Sequence, residues 1–182
     1  MNLTPLIKTL FLILALSLVA AAPAAAQRNK RGQPAAEKVQ LFPDATRTEP
    51  AAKAAPRMQR DMDKLMKAYE AEKFSEVIQV GESIGANKNA GAYEKSWAYQ
   101  LIGIAKGELN DYPGAIEAYK KSLEANGLDN NAHYQIMLQL GQLQYQDDRF
   151  DDALATLDRM LTETRKEDPQ TLALKGGILY QT

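Results

Sequence analysis

One spacing constrains the fold of this chain more than any other feature: an aromatic residue recurs every 38 positions. Phe74, Tyr112 and Phe150 are separated by this interval, which we call the repeat step, and each follows a short turn-forming stretch. Three residues further on, each segment has a small or β-branched residue at the same phase. A phase that is kept over three segments indicates a chain built from copies of one unit.

From Met58 onward, apolar residues recur at spacings of three and four, as in Leu154, Leu157 and Leu161. This period is typical of amphipathic helices, and turn-forming stretches such as NGLDNN interrupt it. The pattern predicts helices over residues 58–71, 75–86, 92–108, 113–125, 130–146, 150–164 and 169–181. Because no strand pattern accompanies them, we predict an all-α fold.

Two glycines stand in the middle of predicted helices, nine residues before the aromatic of the next helix. They are Gly103 and Gly141, and Leu65 has the corresponding position in the first unit. Gly in a helix interior costs about 0.5–1 kcal/mol relative to Ala, so its recurrence predicts close contact between helices, with Ala115 opposite Gly103. The residues expected to pack the units together are Leu65, Phe74, Val77, Gly103, Tyr112, Ala115, Tyr119, Gly141, Phe150, Ala153, Leu157 and Gly176.

The repeated unit has a recognisable motif. In the middle unit it consists of Tyr99, Ile102, Gly103, Ala115 and Tyr119, and in the next unit of Met137, Leu140, Gly141, Ala153 and Leu157. These residues resemble the tetratricopeptide repeat (TPR), a helix–turn–helix of about 34 residues with the pattern W-x₂-L-G-x₂-Y…A-x₃-F…P. The resemblance implies a superhelical solenoid of antiparallel helix pairs, with about three and a half repeats. The repeat domain spans 58–182, with units at approximately 58–91, 92–129 and 130–168 and a half-unit at 169–182.

The chain also departs from that pattern. The repeat step is longer than the family norm, and Gly127 stands where a proline would close the middle unit. Gly81 and Gly85 replace bulky residues in the second helix of the first unit, which is typical of a terminal repeat packed on one side. The unpaired helix at 169–181 favours an array that continues beyond it over a closing cap.

The first 26 residues have the layout of a secretory signal peptide. Lys8 precedes the uncharged run TLFLILALSLVAAAPAAA, and Ala24-Ala25-Ala26 fits an A-x-A cleavage site. The sequence therefore predicts an exported, periplasmic protein that is cleaved near Ala26. The alternative is an inner-membrane anchor over residues 9–26, since this run approaches the ~20 residues that span a bilayer. Membrane contact is expected only through this segment.

Residues 27–57 contain four of the eight prolines and have no sustained apolar period. We interpret them as a flexible Pro/Ala-rich arm. One piece, VQLFPDATR, has three apolar residues close together, and a docked segment is the alternative there. The composition favours an unstructured tether.

The sequence contains few residues arranged in a way that would suit catalysis. It has no cysteine, and His133 is its only histidine, so it contains no cluster with metal-ligand spacing. We expect His133 to face solvent or to lie beside a helix cap, and the acidic residues within 147–152 to satisfy helix N-terminal amides. The 22 basic and 23 acidic residues give no electrostatic case for nucleic acid. We therefore predict no catalysis, no metal and no cofactor.

The resemblance implies that the first helix of each unit lines a concave groove, where we expect a protein or peptide partner. The composition suits an extended segment or a helix contacted through aromatic, Met and Gln side chains. Trp97 has an alternative role, filling a gap between units. The expected groove residues are Met62, Met66, Tyr69, Trp97, Gln100, Ile104, Gln135, Leu138, Gln142 and Tyr145.

Together these features predict a non-catalytic protein–protein interaction scaffold of the bacterial cell envelope. The layout of leader, arm and long-step repeats is similar to periplasmic TPR proteins of proteobacteria, some of which accompany TonB-type energy-transducing systems or envelope-assembly complexes. Two alternatives stay open. One is a structural or assembly factor for envelope polymers, with Arg28, Lys30 and Arg31 on an anionic surface. The other is the regulatory N-terminal part of a larger protein. The sequence does not indicate the oligomeric state.

Overall fold

The computed structural model describes residues 39–51 and 53–181, which form seven α-helices and no strand. The helices are α1 (Gln59–Glu70), α2 (Phe74–Ala86), α3 (Ala92–Glu108), α4 (Tyr112–Ala125), α5 (Asn130–Gln146), α6 (Phe150–Thr164) and α7 (Pro169–Gln181). The all-α prediction is confirmed, and every predicted helix begins and ends within one residue of its observed bounds. The predicted signal segment, residues 1–26, lies outside the described residues, as do residues 27–38.

Three turns of the same construction join the helices within each pair. The turn residues Glu72, Asn110 and Asp148 all have a left-handed backbone, with φ of 53°, 60° and 58°. In each turn the next amide bonds back to a carbonyl five residues earlier, as Asp111 N does to Lys106 O at 2.8 Å. This is the geometry of a Schellman ending. Because the turn residues keep the repeat step, the sequence repeat is also a repeat of backbone conformation.

The helix pairs stack so that a first helix lies between two second helices. In this way α3 packs on its own partner α4 and on α2 of the preceding pair, and α5 packs on α6 and α4. First helices also meet one another, α1 with α3 and α5 with α7. One helix pair alone would leave apolar faces uncovered, and stacking joins these faces into a continuous core.

Glycines allow the closest of these helix contacts. A Cβ atom at Gly103 would lie 2.5 Å from Cε1 of Tyr119, and one at Gly141 would lie 2.8 Å from Cδ2 of Leu157. The atoms that face Gly103 therefore belong to the ring of Tyr119, one helical turn beyond the expected Ala115. A side chain at either position would require Tyr119 or Leu157 to move, or the paired helices to separate.

The other expected packing residues divide into two groups. One group is fully buried, and it consists of Leu65, Val77, Ala115, Tyr119, Ala153 and Leu157. The three aromatics that set the repeat, Phe74, Tyr112 and Phe150, are half-buried at the start of the second helices.

Two buried serines tie α3 to α4. The Ser96 hydroxyl donates to the Ser122 carbonyl at 3.0 Å, and the Ser122 hydroxyl donates to the Ser96 carbonyl at 2.7 Å. The Gly127 amide donates to Ser96 Oγ at 2.8 Å, and a Cβ atom at Gly127 would lie 2.1 Å from the Ala92 carbonyl oxygen. The turn after α4 thus requires glycine, which explains the absence of the expected proline.

Before α1, the chain runs along the turns that separate the units. We call residues 41–51 and 53–57 the strap. Arg57 Nη2 donates to Asn89 O at 3.1 Å beside the α2–α3 turn, Arg47 reaches the α4–α5 turn, and Thr46 N donates to Glu163 O at 2.7 Å near the end of α6. The strap and the helices belong to one compact unit that begins at Gln40. The sequence favoured a flexible tether over this stretch, whereas the described part is docked.

Within residues 39–51 and 53–181, none of the helices is both long and apolar enough to cross a bilayer.

Candidate interaction surface on the first helices

The expected groove residues occupy equivalent positions on successive first helices. Met66, Ile104 and Gln142, for example, are separated by the repeat step on α1, α3 and α5. First helices in a stack of copied units share one orientation, so equivalent positions form a single face. We call this the groove face.

At the centre of the groove face, Trp97 and Ile104 are half-buried on α3. Both side chains pack against the cluster of buried residues that includes Leu65 and also against the cluster that includes Ile136. Trp97 therefore fills the space between units, which is the alternative that the sequence left open for it. Because it is only half-buried, part of the indole also faces solvent.

Tyr93 extends this aromatic surface and was missed in the sequence. It lies one helical turn before Trp97, with ring centroids 6.3 Å apart and an angle of 57° between the rings. The spacing of four residues within one helix is the signal that identifies it, because side chains at i and i+4 share a helix face.

Two expected groove residues are covered. Met62 is 5% exposed and belongs to the core of the first unit, and Gln100 is 4% exposed. Both lie at the same repeat position. Since α1 and α3 pack directly on each other, a position at the border of the groove face is closed over by neighbouring helices. Met62 and Gln100 are therefore not accessible on this face.

Gln100 has a further peculiarity. Its side-chain oxygen is buried, and among the described residues it has no hydrogen-bond partner. A buried polar atom without a partner costs about 1–3 kcal/mol, so this amide does not contribute to stability in the way that the apolar residues around it do.

In the first unit, Met66 and Tyr69 are half-buried on the core. In the third unit, Gln135 is exposed and Leu138 and Gln142 are half-buried. Their mixture of apolar and amide groups matches the expected composition.

Tyr145 is half-buried at the end of α5 and is held in place. Its hydroxyl accepts a hydrogen bond of 2.7 Å from Gln181 Nε2, and its ring lies 5.9 Å from that of Phe150. The side chain therefore links α5 to α7 as well as contributing to the surface.

Gly176, which we expected to pack between helices, is exposed, and an added Cβ atom would meet no atom within 4 Å. It follows Leu138 by one repeat step, so it lies on the groove face. Tyr180 follows Gln142 by the same step and is 93% exposed. Continuing the repeat step into α7 is the signal that finds Tyr180.

The packing residues of α7 are instead Leu174 and Ile178. They follow Ile136 and Leu140 of α5 by one repeat step, and Ile178 is fully buried. Gly176 follows Gly141 by 35 residues, whereas the buried stripe of α7 follows that of α5 by the repeat step of 38, so Gly176 does not take the packing position of Gly141.

His133 is buried rather than solvent-facing, with 3% of its surface exposed. It lies in the first turn of α5, where its amide donates to Asp129 O at 2.9 Å. Burial, together with the positive charges of Arg47 and Arg159, lowers the pKa of the imidazole to about 3. The side chain is therefore neutral near pH 7, and a substrate in solution cannot reach it.

The acidic residues near the start of α6 do not cap it. Asp152 instead accepts a hydrogen bond of 2.8 Å from Arg149 Nε, and this helix has no side-chain cap. The caps are elsewhere: Asp111 Oδ1 accepts from Gly114 N at 3.0 Å and Asp129 Oδ1 from Ala132 N at 2.9 Å. In residues 39–51 and 53–181, no group of three or more acidic or histidine side chains is arranged to hold a metal ion.

The stacked helix pairs and the groove face are typical of one class of protein. This class is the helical-repeat solenoid, in which the first helices present one continuous surface. Residues 108–178 match the family model described as tetratricopeptide repeat. The matched segment, which runs from the end of α3 to α7, is therefore similar to tetratricopeptide repeats.

A solved structure shows the same architecture. The chain is similar to a structure described as the TPR2B-domain:pHsp70-complex of yeast Sti1, with a TM-score of 0.55 and 14% sequence identity. The match covers 70% of this chain and 100% of that chain. At this identity the likeness shows the fold alone. A comparison with curated protein sequences found no match.

Proposed function

We propose that this chain is an exported, non-catalytic interaction scaffold of the bacterial cell envelope. It binds an extended segment or a helix of a partner protein on the groove face, and the partner belongs to a TonB-type energy-transducing or envelope-assembly complex. The observation that carries the proposal is the groove face itself, where half-buried aromatic and apolar side chains lie beside two amides, Gln135, which is exposed, and Gln142, which is half-buried.

The side chains on this face suit a protein ligand. Trp97 and Ile104 are fixed by packing on two clusters, so they lose little side-chain freedom on binding. Large, half-buried aromatic residues are common binding hot spots. Gln135 and Gln142 can donate to and accept from the peptide groups of an extended ligand. The complex of the yeast protein, which includes pHsp70, supports a protein or peptide as the class of ligand.

Residues 1–26 support the envelope location, because their basic start, apolar run and Ala-rich end have the order of an export signal. The absence of cysteine means that the exported domain folds without disulfides.

The binding proposal is tested by a double variant, Gln135→Arg with Gln142→Arg. It adds two charges to the groove face without removing a packing side chain. The matched control, Gln79→Arg with Ala155→Arg, adds the same charges to exposed positions on the second helices α2 and α6. Tagged wild-type and variant proteins are used to capture partners from a periplasmic extract, and the partners are quantified by mass spectrometry.

We expect the groove variant to recover at least about tenfold less partner than wild type, because burying an unpaired charge costs several kcal/mol. The control should recover the partner as wild type does. Equal recovery by the wild type and both variants would refute binding on the groove face.

A further inference from the structure

The strap is anchored at two points, the first of which is Phe42. Its ring meets that of Tyr134 edge-on, with centroids 5.1 Å apart, and it packs against the buried cluster of Tyr134, Met137 and Met160. Lys166 Nζ lies 5.3 Å from the centroid of the Phe42 ring. The site therefore combines an apolar floor with a cation, which is a favourable setting for an aromatic side chain.

The second anchor is Arg47. Its Nη1 donates to Asn130 Oδ1 at 2.6 Å, and its Nε and Nη2 donate to Asn126 Oδ1 at 3.0 and 2.6 Å. A fourth bond runs from Nη2 to the Leu128 carbonyl at 2.9 Å. Two asparagines and a carbonyl thus match the planar fork of a guanidinium, a geometry that an ammonium group cannot reproduce.

Next to the anchors, the helices also hold the backbone of the strap. Leu41 N donates to Asn131 Oδ1 at 2.9 Å, and the Leu41 carbonyl accepts from Lys166 Nζ at 3.2 Å. Thr46 N donates to Glu163 O at 2.7 Å. Main-chain hydrogen bonds of this kind can form with many different sequences, so the specificity of the site depends on its two anchor positions.

We propose that this edge of the solenoid is a second binding site, separate from the groove face. It binds an extended protein segment with an aromatic residue followed five positions later by arginine. We call it the edge site, formed by the α4–α5 turn, the start of α5 and the C-terminal end of α6. The strap occupies the edge site in cis, so a partner segment with the same two side chains competes with it.

The character of the strap supports exchange with a partner segment. Only Phe42 and Ala45 of the strap pack against the buried cluster at this site, and Leu41 remains 49% exposed. The strap has no helix or strand of its own before Pro56. A short segment held by two anchor side chains and a few main-chain hydrogen bonds can be displaced once a competitor reaches the effective concentration of the tethered copy, which is in the mM range.

The test uses the complete chain with both anchors removed, Phe42→Ala with Arg47→Ala, so that the edge site is empty of its own strap. The probe is a fluorescently labelled peptide with the sequence of residues 40–50, QLFPDATRTEP, and binding is measured by fluorescence anisotropy. A second peptide has alanine at both anchor positions. Asp44→Ala is the matched control protein, because Asp44 is an exposed residue of the strap that lies between the anchors.

We expect the peptide to bind the double variant at least about tenfold more tightly than wild type or the Asp44→Ala control, since the tethered strap competes in those two proteins. The peptide without anchors should not bind. Replacing its arginine by lysine should weaken binding by roughly tenfold, because the fork is lost.

Three results would overturn the proposal. Equal affinity of the peptide for wild type and the double variant would show that the peptide binds outside the edge site. Loss of helical circular dichroism in the double variant would make the strap a structural element that does not exchange. A wild-type dimer in sedimentation that the double variant cannot form would assign the edge site to a second copy of the chain.

Discussion

Acidification is expected to destabilise this protein through one side chain, His133. Its imidazole is 3% exposed, and burial and two nearby arginines lower its pKa to about 3. In the unfolded chain the same group titrates near ~6.5. Between these values the unfolded state binds a proton that the folded state does not, so the free energy of unfolding falls as the pH falls.

The magnitude follows from the two pKa values. At pH 7.5 the imidazole is mostly neutral in both states, so its titration contributes almost nothing. At pH 5, about 1.5 below the pKa of the unfolded chain, protonation favours the unfolded state by roughly 2 kcal/mol. The loss would continue to grow down to about pH 3. It is a large share of the roughly 5–15 kcal/mol that stabilises an ordinary domain.

The assay is urea unfolding at pH 7.5 and pH 5.0, followed by circular dichroism, on wild type and on His133→Gln. Carboxylates also titrate in this range, but they are common to both proteins and cancel in the comparison. We expect wild type to lose about 2 kcal/mol more than the variant between the two pH values. An equal loss in both proteins would show that the imidazole titrates normally when folded, and would refute the effect of its burial.

Three further predictions concern the turns, the glycines and the leader. Glu72→Gly should stabilise the protein by about 0.5–1 kcal/mol in thermal unfolding, because Glu72 has a left-handed backbone (φ 53°); destabilisation would contradict that geometry. Gly103→Ala should lower the free energy of unfolding by about 1–3 kcal/mol through its contact with Tyr119, whereas Gly107→Ala, with open space around it, should be neutral or stabilising. Destabilisation of both variants, or of neither, would contradict this packing. Protein secreted by a bacterial host should begin at residue 27 in intact-mass spectrometry, and an uncleaved N-terminus would favour the anchor.

The helices could be predicted from sequence because their signals are local. A period of three to four residues, broken by turn-forming residues, determines each helix, and the repeat step between aromatics determines the pairing. The left-handed turns at Glu72, Asn110 and Asp148 are separated by the same step, so the units share their backbone conformation as well as their sequence pattern.

The docking of the strap could not be predicted in this way. Its contacts join residues far apart in the chain, such as Thr46 and Glu163 at a separation of 117 residues. They depend on two anchor side chains that follow no period. A Pro-rich composition is typical of a tether, and it gave no indication of the asparagines that bind Arg47.

Burial at the borders of helix faces was the other source of error. A first helix has neighbours on several sides, so Met62, Gln100 and His133 are covered although each lies beside an exposed or half-buried position. Periodicity identifies the centre of an apolar stripe better than its width. Gly176 was expected to pack between helices, whereas the buried stripe of α7 consists of Leu174 and Ile178 and leaves the glycine exposed.

The proposed function requires that a partner binds to the first helices. It is tested most directly by placing a photoreactive benzoylphenylalanine at Gln135 on the groove face and, separately, at Gln79 on α2, both exposed positions, and irradiating living cells. We expect a discrete cross-linked partner from position 135 and none from position 79. A partner cross-linked only from position 79 would contradict it.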